Sequence, residues 1–198
     1  MFDVRFHIKQ NRKIYFMLFL CLIAGVVFGI AVAASSDEFL NLITSKNKTL
    51  YSYINGSADY FKIFWKRFLI FLAPVLLIVA LGAFAYVSLF AGLFLSYQTA
   101  LFVLSCTALI KIYGLTGFLS VLFFVLPVNL IYLAVLVFAS CFCITRSFVA
   151  LKNKKFLMGF DEWFFMKLFA VILVLFVLSL VSCVVVALFL KNANFLLY

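Results

Sequence analysis

The chain has 198 residues, 69% of them hydrophobic, and a mean hydropathy of +1.30. A water-soluble domain holds closer to half apolar residues because its surface must be wetted, so this composition excludes one and indicates a polytopic α-helical membrane protein. The net charge of +10 comes from cations at the ends of apolar runs, where they orient spans and meet anionic lipid headgroups; no aromatic and basic surface for nucleic acid lies outside the spans.

In chain order, a basic tail (residues 1–13, with Arg5, Lys9, Arg12 and Lys13) precedes a first span at Ile14–Ala34. The sequence "IAVAAS" after it mimics a signal-peptidase site, but the apolar run is about twenty residues, longer than a signal core, so a retained anchor is expected. An external segment follows (residues 35–67). It carries the sequons Asn47-Lys48-Thr49 and Asn55-Gly56-Ser57. Its end, "SADYFKIFWKRF", puts Phe61, Phe64, Trp65 and Phe68 on one helical face, which suits either an interfacial helix anchored by Trp65 or the first turns of span two. No charge occurs between Arg67 and Lys111, a run about twice one helix's need, so it divides into Phe68–Phe90 and Leu93–Lys111 with a turn at Phe90–Gly92. Span four is expected at Gly117–Thr145. A basic loop (residues 146–167, ending in Trp163 as a second interface anchor and Lys167), span five at Leu168–Leu190 and an external tail (residues 191–198) complete one membrane domain. Five spans put the two basic clusters on one side, which predicts a cell-membrane protein with a cytoplasmic N-terminus.

The span interiors carry no Asp, Glu, Lys, Arg or His, the residues that proton relays and ion-coupled transport require within the bilayer. The lone His7 and the scattered Cys21, Cys106, Cys141, Cys143 and Cys183 form no CxxC and no metal-ligand spacing. No catalytic residue, metal or cofactor is expected, and the chain reads as a non-enzyme. Small residues recur every fourth position instead: Cys21, Gly25, Gly29 and Ala33; Ser88, Gly92 and Ser96; Ser179, Cys183 and Ala187. Such stripes let helices approach closely, either inside one bundle or against a partner. "SYQT" (Ser96–Thr99) is the most polar intramembrane cluster, suited to capping a helix start or lining a small cavity.

The stretch "KIYGLTGFLSVLFFVLPVNL" (Lys111–Leu130) breaks helical rules within apolar sequence. Gly114 and Gly117 suit an external turn, because glycine takes backbone angles that other residues resist. Pro127 removes one N–H and frees the carbonyl near Phe123, and the Asn129 amide needs an acceptor. Both features predict a kink in span four that faces protein rather than lipid, as one bent helix or as a re-entrant hairpin.

"FAGL" (Phe90–Leu93), "YGLTG" (Tyr113–Gly117) and "LPVNL" (Leu126–Leu130) together resemble the stage II sporulation protein M family over Tyr60–Ser147. This chain departs from it in "WKRF" before span two and "KNANFLLY" at its end. The resemblance implies a non-enzymatic scaffold that anchors a peptidoglycan-remodelling complex during engulfment, with stage II sporulation proteins D and P as partners. Membrane lipids are the other expected partners. The rival expectation is a permease-like subunit energised by a separate protein, with Asn129 and Gln98 along its path.

Overall fold

The structure, a computed structural model, describes residues 8–35, 60–84, 90–153 and 162–196. The described residues are helical almost throughout and contain no β-strand. Five helices are long and apolar enough to cross a bilayer, as expected of an all-α polytopic membrane protein. They are α1 (Arg12–Ser35), α2 (Tyr60–Ala83), α3 (Phe90–Ser120), α4 (Leu126–Lys152) and α5 (Glu162–Leu196), with a π-helical turn (Val121–Val125) joining α3 to α4. The sequons, Ser88 of the small-residue stripe, and the parts of the external segment and basic loop at residues 36–59 and 154–161 lie outside the described residues.

Helical contacts give each helix its direction. Gly25 lies against Ser96 and Thr99, and Gly29 against Ala100 and Val103, so α1 and α3 run parallel. The Thr145 hydroxyl donates to Asn11 Oδ1 at 3.2 Å, and Tyr15 bonds the Cys141 thiol, so α1 and α4 are antiparallel. Phe71 meets Tyr132 and Gly82 meets Cys143, so α2 and α4 are parallel. Phe64 meets Phe176, whereas Val75 and Val79, farther along α2, share a cavity wall with Lys167 and Leu168 near the start of α5, which sets α5 antiparallel to α2. The odd-numbered helices therefore cross one way and the even-numbered helices the other, the alternation that five successive membrane passes require.

The core draws on all five helices, with Leu18 of α1, Val75 and Ile78 of α2, Leu95 of α3, Leu136 of α4 and Leu175 of α5 all fully buried. Outward faces carry Phe16, Phe28, Leu93 and Phe169, each more than half exposed. In water such faces would aggregate; in a bilayer they meet acyl chains at no hydrophobic cost.

Several boundaries differ from expectation. Residues 60–83 form one continuous helix, so the Phe61–Phe68 segment is the start of span two and not a separate interfacial helix. Phe90–Gly92 is not a turn: α3 begins at Phe90, and Gly92 lies buried beneath Cys21. The helix of span four runs on past the expected end at Thr145 to Lys152, and its part Leu126–Lys152 is by itself long and apolar enough to cross a bilayer. Pro74, unremarked in the sequence reading, sits inside α2 without ending it; its missing donor faces the carbonyl of the lipid-exposed Ile70.

Candidate functional site

The seam between α1 and α3 is the most extensive helix pair in the molecule. A Cβ on Gly25 would strike the Ser96 carbonyl and come within 2.8 Å of Thr99 Cβ, and one on Gly29 would meet Val103 Cβ at 2.9 Å. Gly92 returns the contact from α3, its absent Cβ pointing at Cys21 Sγ, 3.2 Å away. Ala33, one turn beyond Gly29, is half-buried. Ser96 Oγ donates to the Cys21 carbonyl at 2.7 Å across the seam, with the Gly92 carbonyl a second acceptor at 3.2 Å. Such interhelical bonds average only about 0.6 kcal/mol in membranes, so backbone proximity and dispersion hold the seam and the hydroxyl fixes its register.

This placement corrects two expectations. The Gly25–Gly29 face is filled by α3 of the same chain, so it is not an open groove for a partner. "SYQT" does not cap a helix start, because α3 begins two turns earlier at Phe90. Ser96 serves the seam, Thr99 is buried and donates to the Leu95 carbonyl at 2.8 Å, Gln98 is half-buried and Tyr97 faces outward.

Gly114 is the one described glycine with positive φ, at 55°, with ψ at −127°. It reverses the chain after α3's membrane span. Gly117 follows in ordinary helical form, contrary to its expected place as a second turn glycine. Its role is close approach, since a Cβ there would strike the Leu109 carbonyl carbon and oxygen. From Gly117 onward the chain stays helical through the π turn and past Pro127, which makes span four one bent helix and not a hairpin. A π turn widens the backbone just where proline withdraws a donor, a recurrent cause of helix bending. The kink does not face protein as expected: Pro127 and Phe123 both face outward. Asn129 meets its own need locally, donating Nδ2–H to the Val125 carbonyl at 2.8 Å one turn back. That bond satisfies a carbonyl at the bend without a neighbouring helix.

The two ends of the bundle carry the charge. Among the described residues, Lys9, Arg12, Lys13, Arg146, Lys152 and Lys167 gather at one end, and Lys62, Lys66, Arg67 and Lys111 at the other. Arg146 lies 5.7 Å from the Phe142 ring centre and 5.5 Å from that of Phe164. Lys167 lies 4.3 Å from Phe142, close enough for cation–π attraction. At the opposite end Arg67 donates to Ser182 Oγ at 3.0 Å, beside the aromatic cluster of Phe64, Phe68 and Phe176. Trp65 adds an exposed ring with edge contacts to Phe61, Phe64 and Phe68, the setting of an interface anchor. Trp163 falls in the first turn of α5, and its side chain lies outside the described residues.

Sequence reasoning missed the Arg67–Ser182 bond, the Asn11–Thr145 bond and the fit of Gly82 against Cys143. Each joins residues far apart in the chain, and no local pattern marks them.

Several buried hydroxyls bond back to their own helix. Ser147 donates to the Cys143 carbonyl at 3.0 Å and Ser179 to the Phe176 carbonyl at 2.7 Å. Tyr132 and Ser140 have buried hydroxyls without a hydrogen-bond partner, and the fully buried Leu136 stands between them on α4. No family model, curated protein or solved structure matches the chain.

Proposed function

We propose that this protein is a non-enzymatic scaffold of the cell membrane, with its N-terminus in the cytoplasm, that holds other membrane or cell-wall-hydrolase proteins in place. The observation that supports this reading is that the span interiors carry no Asp, Glu, Lys, Arg or His, so that the polar contacts crossing between helices inside the bundle, such as Thr145 with Asn11 and Ser96 with the Cys21 carbonyl, join uncharged groups. Hydroxyls at Thr99 and Ser179 return to carbonyls of their own helix, and the Asn129 amide does the same. Proton relays and ion-coupled transport rely on ionisable residues within the membrane. The motifs "FAGL", "YGLTG" and "LPVNL" extend the proposal to a scaffold resembling stage II sporulation protein M, with stage II sporulation proteins D and P as its partners in engulfment. With α1 and α3 closed on each other, partner contacts fall to the loops and the lipid-facing surfaces.

Affinity capture from native membranes in a mild detergent tests the proposal. Co-purification of cell-wall hydrolases is the expected outcome. Recovery of an ATPase instead, or solute movement by the purified protein alone in liposomes, overturns it in favour of a permease-like subunit.

A further inference from the structure

We infer that the groove between α1 and α4 binds one anionic glycerophospholipid, its acyl chain lying along the groove and its phosphate held by Arg12. This inference does not depend on the scaffold reading. The groove is a consequence of how α1 is held. Near its start α1 is tied to α4 by the Thr145–Asn11 bond and by Tyr15 with Cys141. Farther along, Gly25 and Gly29 draw it down onto α3. A wedge of about 400 Å³ remains between α1 and α4, lined by Arg12, Tyr15, Phe16, Phe19, Leu22 and Val137. That volume falls within the roughly 300–1,000 Å³ common to small-molecule sites.

The lining selects the occupant. Phe16, Phe19, Leu22 and Val137 offer no hydrogen bonds to a polar solute, and Phe16 and Phe19 are open to the bilayer. An acyl chain enters sideways and replaces lipid contacts with protein contacts. The sole charged group in the lining is Arg12, at the end of the groove that lies with the helix termini. A guanidinium matches a phosphate through two parallel N–H donors. Lys9 and Lys13 are exposed at the same end and add to the positive potential there. An apolar slot closed by a cation at headgroup level fits a phospholipid with net negative charge, such as a phosphatidylglycerol, and disfavours a zwitterionic one.

Native mass spectrometry of the full chain, released from detergent after titration with phosphatidylglycerol or phosphatidylcholine, tests this. The wild-type protein is expected to retain one phosphatidylglycerol in preference to phosphatidylcholine. Arg12→Gln should reduce that preference about fivefold, the effect of one cation on an anionic lipid surface. Lys111→Gln, at the opposite end, should leave it unchanged. Val137→Phe, which fills the slot from the α4 side, should reduce retention of both lipids in protein that still elutes as the wild type does on gel filtration. Equal retention of the two lipids by the wild type overturns the inference. So does an unchanged preference in Arg12→Gln, or unchanged retention in Val137→Phe.

Discussion

Glycine does three different jobs in this chain, and only the tertiary contacts tell them apart. Gly25 and Gly29 exist to remove a side chain from a helix contact. Gly117 does the same within the turn of its own chain. Gly114 alone needs glycine for its backbone, since nothing lies within 4 Å of the Cβ it lacks. Gly114→Ala should therefore lower stability by about 1–3 kcal/mol through strain at positive φ, with no steric clash. A thermal unfolding series in detergent checks this, with Gly92→Ala as the comparison. Because Gly92 faces the movable sulfur of Cys21 rather than backbone, its substitution should cost less than that of Gly114. Equal stability of Gly114→Ala and wild type would mean the turn tolerates another conformation. The glycine and proline of "YGLTG" and "LPVNL" were legible as a break, but the sequence placed the bend against protein. The outward Pro127 and the local Asn129 bond show why that failed: an amide one turn along can serve a bent helix from within.

Among the elements, α1 is the one most dependent on a single neighbour, because its contacts concentrate on α3 and touch α4 chiefly near its start. The fourfold spacing of Cys21, Gly25, Gly29 and Ala33 marked the contacting face correctly but not its partner. The parallel register makes a specific expectation. Cys21 Sγ lies 3.2 Å from the position a Cβ on residue 92 would take, within reach of disulfide geometry. In a chain with the other cysteines replaced, Gly92→Cys should link to Cys21 on oxidation. A protease site engineered between α1 and α2 reads the link as one fragment without reductant and two with it. Adding Gly29→Leu should bring the yield near background, because the leucine drives α1 off Val103 and the Ala100 carbonyl. Efficient linking despite that change would show that the seam does not rest on close glycine packing.

For the whole molecule, the contacts demand strict alternation of direction across five passes. Alternation predicts which cysteine replacements react from which side of a sealed vesicle. Lys13→Cys and Lys152→Cys should label from one side, and Lys62→Cys and Lys111→Cys from the other. A pair that divides between sides would remove one crossing. The cations are spread over both ends, so charge alone orients the chain weakly, and the labelling in right-side-out vesicles decides which end is cytoplasmic. The two ends also differ in what their cations meet: Arg67 reaches a serine of α5, whereas Arg146 and Lys167 stack on phenylalanine rings. Interior cations near helix ends cost least where such partners and the interface are both in reach.

Composition and the placement of the apolar runs determined the solvent, the helical class and the number of crossings, because a backbone without water must bond to itself and a bilayer sets the length of each apolar run. Small-residue spacing further determined which face of α1 seeks close contact. Only the tertiary structure decided that α3 of the same chain fills that face, that Gly114 and not Gly117 reverses the backbone, and that a wedge stays open beside Arg12. These are outcomes of how helices distant in sequence compete for one another's surfaces. In a bilayer almost every surface is equally apolar, so hydrophobicity cannot choose among them and shape must.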